Sequence, residues 1–186
     1  MSTENTPKLK AEPILDIINR SKEFNNDQKW WLRLCLFIPK PIMITFVLML
    51  WSSMFTFSIN EGHSMPGHLY VVNRMDKELV KGEVYKFSYH GEHFIHGVLF
   101  TKKVVGVEGD VVSVKGREIF INGVSVAVAK EYSLAGKPLA VNSFQGVIPP
   151  YKFFYIGEHP DSFDSRYQMA GFGDTRDVAG RAYMLF

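Results

Sequence analysis

Cysteine is almost missing from this sequence: Cys35 stands alone among 186 residues. An intrachain disulfide is therefore excluded, and any folded part outside the cytoplasm must hold together without one. Cys35 is a poor nucleophile candidate, because its stretch is apolar and aromatic-flanked, with Arg33 as the one helpful polar neighbour. Net charge is scarce too. The 21 basic side chains nearly balance the 19 acidic ones, for a net charge of +2. A general nucleic-acid binder carries a strongly basic face, so this balance speaks against that class. Internal repeats and low-complexity tracts are absent, and helical periodicity is nearly so after residue 60. What is abundant is apolar and aromatic: 46% of residues are hydrophobic, with fifteen Phe and eight Tyr. That is enough for a real core, and aromatic residues favour strands and membrane interfaces.

The first 40 residues read as a tail with one helical segment. Residues 1 to about 11 are polar and expected to be disordered. From Glu12 to about Phe37, Ile14, Leu15, Ile17 and Ile18 cluster between charges, and Trp30, Trp31, Leu32, Leu34 and Leu36 follow. This pattern predicts an amphipathic interfacial helix with aromatic anchors, the alternative being a soluble helix packed on the domain. Pro39-Lys40-Pro41 then breaks it, and Ile42 to Ile59 carries no charge at all. At about 1.5 Å per residue, some 18–20 such residues cross a hydrocarbon core. A transmembrane helix is expected over 41–59. A cleaved signal peptide fits less well, because the basic region before the run is long and Ser58-Ile59-Asn60 lacks a small residue at the cleavage point. A buried core helix fits less well too, since Phe, Trp and Met occupy every face. Lys29, Arg33 and Lys40 precede the run, which places the N-terminus in the cytoplasm and everything after about 60 outside.

The remainder, 60–186, reads as a mainly β domain. Leu69–Val72, Val84–Tyr89, Val98–Val105, Val111–Val114, Glu118–Ile121, Val124–Val128, Tyr151–Ile156 and Ala182–Phe186 are apolar or alternating runs between turn residues. Asn122-Gly123 is a strong hairpin signal. Residues 130–148, rich in Gly, Ser, Asn and Pro, form a surface excursion. Short strands with frequent turns predict a small, antiparallel, partly barrel-like β domain.

Three stretches carry candidate chemistry. In Gly62-His63-Ser64-Met65-Pro66-Gly67 the glycines and proline set a turn that can expose the Ser64 hydroxyl. In Lys102-Lys103-Val104-Val105-Gly106, adjacent lysines on a strand point to opposite faces, so one faces inward. A lysine buried among Phe100, Val104 and their neighbours loses solvation, its pKa falls, and it becomes a competent general base. The third stretch is Asp161-Ser162-Phe163-Asp164-Ser165-Arg166. His90, His93 and His96 would need a helix to meet on one metal, and Gly91 and Gly97 argue against one.

Together these stretches resemble the type I signal peptidases. The resemblance covers 41–186 and rests on Ser64-Met65-Pro66, on Lys102-Lys103-Val104-Val105-Gly106 leading to Gly109-Asp110, and on Gly157 through Asp164-Ser165-Arg166. Val80-Lys81-Gly82-Glu83-Val84 and Val178-Ala179-Gly180-Arg181-Ala182 are weaker echoes. One residue, not two, separates Ser64 from Pro66, and Pro66-Gly67 followed by Leu69-Tyr70 is closer to the conjugative-transfer subgroup, which matures pilin. The resemblance implies a bacterial-type plasma-membrane serine endopeptidase with its catalytic domain on the periplasmic side. Its partners would be signal-peptide-bearing precursors, pilin among them, and the lipid bilayer, with no nucleic acid and no cofactor or metal. Ser64 would be the nucleophile, Lys102 the general base, and Ser162 the hydroxyl that orients the lysine. Asp164 and Arg166 would form a structural ion pair, and the Ser64 backbone N–H would face the oxyanion. Gly62 stands where many relatives supply a second donor. Two other classes compete: a catalytically silent scaffold of a secretion or pilus complex, and a self-cleaving repressor, which the apolar run opposes.

Overall fold

Apolar alternation with frequent turns leads to sheets, and the computed structural model describes residues 39–60, 62, 64–91 and 97–186. The interfacial segment, Cys35, His63, His93 and His96 lie outside the described residues. The chain divides into two units, Met1–Met49 and Leu50–Phe186. Helix α1, Lys40–Met54, has no buried residue. Among the described residues, no helix is long and apolar enough to cross a membrane.

The helix ends five residues earlier than the sequence predicts. Phe55–Ile59 is strand β1, paired antiparallel with β2, Leu69–Asn73. The alternation in Phe-Thr-Phe-Ser-Ile explains the switch. Ser58 is turned inward and buried while Phe57 and Ile59 are exposed, which is a period of two rather than 3.6.

The other strands are β3 (Val84–Tyr89), β4 (Val98–Gly106), β5 (Val111–Lys115), β6 (Glu118–Ile121), β7 (Val124–Val128), β8 (Gly146–Val147), β9 (Lys152–Ile156), β10 (Gly173–Asp174) and β11 (Val178–Met184). One sheet runs β1-β2-β11-β3-β4-β9-β10 and the other β7-β6-β5-β8. The described pairings are antiparallel, as expected from the sequence. Asn122 and Gly123 both have positive φ, 52° and 79°, as a tight hairpin between β6 and β7 requires. The 130–148 excursion is less irregular than its composition suggests, since it ends in β8 and makes two isolated bridges, Tyr132 with Pro138 and Val141 with Tyr167.

Three apolar clusters hold the sheets. Tyr85, Phe87, Val104, Phe153, Tyr155 and Val178 pack under the large sheet. Val112, Ile119, Ile121, Ile148 and Phe154 join the small sheet to β9. Met65, Tyr70, Val72 and Ala182 form the third. That last cluster seats the residue after Ser64 against β2 and β11, so burial of a methionine side chain fixes the serine-bearing loop. The two weaker motif echoes are part of the frame. Lys81 pairs with Asp110 at 3.0 Å, and Arg181 with Glu83 at 2.8 Å.

Candidate active site

Strand alternation decides which lysine faces in. Lys102 sits opposite Tyr85 on β3 and is 4% exposed, whereas Lys103 turns outward and meets Glu158 at 3.6 Å. Lys102 Nζ donates to Ser162 Oγ at 2.6 Å and lies 5.7 Å from the Phe100 ring. Burial pushes its pKa down to about 8. The Asp164 carboxylate opposes that shift and the Arg166 guanidinium reinforces it.

Asp164 and Arg166 lie buried beside this pair. Arg166 donates Nε and Nη2 to the two Asp164 oxygens, each at 2.8 Å. The Asp164 oxygens also accept the Gly157 and Arg166 backbone N–H groups, at 2.8 and 3.2 Å. Arg166 Nη2 reaches the His159 carbonyl at 3.0 Å as well. With so many partners, both charges are compensated in a site that excludes water.

The serine loop docks directly on this segment. The Ser64 carbonyl accepts N–H groups from Glu158 at 2.8 Å and His159 at 3.2 Å. Asn60 Nδ2 donates to the carbonyls of Met65 at 2.9 Å and Gly67 at 3.2 Å, and the Tyr70 hydroxyl donates to that of Pro66. His68 N–H meets the Phe186 backbone oxygen at 2.7 Å. Gly67 has φ +77°, and a Cβ there would stand 2.6 Å from Met184 Sδ. Gly157 is tighter still. A Cβ there would lie 2.0 Å from Ser162 Oγ and 2.7 Å from the Ser64 carbonyl oxygen. The missing side chain lets the Ser64 and Ser162 segments close on one another.

Ser64 and Lys102 line one cleft of about 360 Å³ between β1 and β4, with Ser58, Asn60, Gly62 and Phe163 among its walls. A cleft of about 310 Å³ elsewhere on the domain, lined by Phe87, His90, Lys152 and Asp177, contains neither. There His90 meets Asp177 at 3.3 Å. Ser64, Lys102, Ser162, Asp164 and Arg166, which come from three separate stretches, are thus brought into one neighbourhood. Asn60 and Gly157 are not evident as site residues from the sequence. Nor are Ser58, which faces Thr101 Oγ1 at 3.4 Å, and Asn142, which donates to the Ser165 carbonyl at 3.0 Å. None of these carries a signal outside the folded contacts, except that Gly157 opens the third motif.

The chain is a member of the signal peptidase family, peptidase S26, whose family model matches residues 31–186. Among solved structures it is similar to a signal peptidase I from Enterococcus faecalis V583, at 21% identity and a TM-score of 0.40. That match covers 57% of this chain and 97% of the other. No curated protein matches the chain.

Proposed function

We propose that this protein is a membrane-anchored serine endopeptidase that removes signal or leader peptides from exported precursors with a Ser64–Lys102 dyad. Family membership supports the signal-peptide substrate class. The observation that carries the dyad is Lys102 itself: buried, held by Ser162 at 2.6 Å, lowered to about 8, and lining the same cleft as Ser64. A free lysine, near 10.4, is almost wholly protonated at neutral pH and cannot accept a proton. At about 8, roughly a tenth is neutral at pH 7.

In this mechanism neutral Lys102 takes the Ser64 hydroxyl proton as Oγ attacks the scissile carbonyl carbon. The carbonyl oxygen becomes an oxyanion, which the Ser64 backbone N–H stabilises. The C–N bond breaks, and the Lys102 ammonium returns its proton to the leaving amine. Water then attacks the acyl ester with Lys102 again as base, releasing the carboxylate and restoring Ser64. Ser162 orients the lysine, and the Asp164–Arg166 pair holds the segment that presents it. Asn60 does not supply the second oxyanion donor, since its Nδ2 is spent on Met65 and Gly67.

The anchor is argued from α1, whose exposed surface from Ile42 to Met54 is apolar apart from Thr45, Ser52 and Ser53. Its fifteen residues rise about 22 Å, so surface character rather than length supports a bilayer environment with the catalytic domain outside the cytoplasm. Resistance of the full chain to extraction by alkaline carbonate tests this, and quantitative release sinks it. The spacing of Ser64, Pro66 and Gly67 favours a pilin precursor among the substrates. Processing of candidate precursors by wild-type, Ser64→Ala and Lys102→Ala proteins tests the function. Near-full activity of Lys102→Ala would refute the dyad.

A further inference from the structure

Next to the serine cleft lies a second groove of about 330 Å³, lined by Ser133, Leu134, Leu139, Asp161, Ser162 and Phe163 among others. Phe163 walls both spaces, and Ser162, the partner of Lys102, lines this one. One side is a short hairpin from the 130–148 excursion. Ser133 N–H bonds Lys137 O at 2.8 Å, Leu139 N–H bonds Glu131 O at 2.8 Å, and Tyr132 bridges Pro138. Three contacts fix it in place. Arg117 Nη2 donates to Leu139 O at 2.8 Å, Lys130 pairs with Asp161, and Val141 bridges Tyr167. At its tip Leu134, which lines the groove, is 84% exposed. A large apolar side chain held out beside a cleft that carries candidate chemistry marks a binding surface.

We infer that this groove binds the segment of the precursor that leaves, namely the first residues after the scissile bond, and selects an apolar side chain there. The inference rests on the proposed dyad and deepens it. The lysine that protonates the leaving amine must stand on the leaving side of the bond, and its partner Ser162 is part of the lining of this groove. Phe163, which lines both spaces, is the wall that an extended chain crossing Ser64 would pass on its way from the β1–β4 cleft to the groove.

The test uses the full chain in detergent with Ser64→Ala, so that peptides bind without turnover. Two short fluorescent peptides carry alanine before the scissile bond and differ only after it, with Leu in one and Ser in the other. The Leu peptide is expected to bind about tenfold tighter, the scale of one partly buried apolar side chain. Adding Leu134→Asp, at an exposed position that leaves the fold alone, is expected to erase that preference. No preference in the parent, or a preference that survives Leu134→Asp, overturns the groove. Cleavage of the Leu peptide by the wild-type chain is read separately. If it is absent while binding still depends on Leu134, the peptidase reading fails and the groove stands. If cleavage occurs while binding is indifferent to Leu134, the peptidase stands and the groove fails.

Discussion

Lys102 donates to Ser162 across 2.6 Å in a pocket that leaves the lysine 4% and the serine 3% exposed. The hydrogen bond fixes where the amine points, and the burial fixes how readily it gives up its charge. In the proposed dyad the active form is the neutral amine, so kcat/KM should climb as pH rises through about 8 and level off above it. A pH–rate profile on a precursor peptide checks this. A profile flat from pH 6 to 9 would remove Lys102 as the base.

Asp164 tunes that midpoint. Its carboxylate holds the Lys102 pKa up against burial, so Asp164→Asn should move the pH midpoint lower. The same change leaves Arg166 buried without its counter-charge, at a cost of about 3 kcal/mol in unfolding free energy. The two readouts separate the roles. Lost stability with an unmoved midpoint would mean that Asp164 acts only as a frame.

Lys102 itself weakens the fold. Its folded pKa of about 8 lies below its unfolded value of 10.5, so between those pH values the unfolded chain binds more protons. Stability is therefore lowest below pH 8 and rises with pH through that window, the whole effect being on the order of 3 kcal/mol. Lys102→Met should raise stability at pH 7 by about 2 kcal/mol, less than the full amount because Ser162 loses a partner. Denaturant unfolding at pH 7 and pH 10 checks this. A variant no more stable than wild type at pH 7 would contradict it.

Gly157→Ala puts a methyl group 2.0 Å from Ser162 Oγ and 2.7 Å from the Ser64 carbonyl oxygen. The segments must part, at about 1–3 kcal/mol of stability, and turnover should fall at least tenfold because a shift near 1 Å disrupts aligned groups. Thermal unfolding and kcat on one preparation check both. Wild-type turnover would mean that the loop docking is incidental to catalysis.

Much of this architecture is legible in the sequence because strand alternation is a local property. Val84–Tyr89 and the opposite facing of Lys102 and Lys103 follow from a period of two, and the hairpin follows from the turn preference of Asn122-Gly123. Strand β1 is hidden because Phe55–Ile59 continues an uncharged run, and hydropathy does not register a change of period inside it. Strands β8 and β10 are two residues each and exist only through their partners. At the site, a serine in a turn and a lysine on an apolar strand can be named from residue chemistry, while the roles expected of Ser162, Asp164 and Arg166 come only from the family resemblance. The docking of Ser64 O on Glu158 and His159, and the work of Asn60 and Gly157, cannot be named in advance. Those contacts join residues far apart in the chain through backbone atoms that every residue possesses.

The central claim is that Ser64, activated by Lys102, cuts a precursor after its leader. Membranes holding equal amounts of wild-type, Ser64→Ala and Lys102→Ala protein, mixed with one precursor and followed by intact-mass spectrometry, test it most directly. A Ser64–Lys102 dyad predicts a leader-length mass loss with the wild type and an unchanged precursor with both variants. Cleavage at the same bond by either variant, at a rate near wild type, would contradict it.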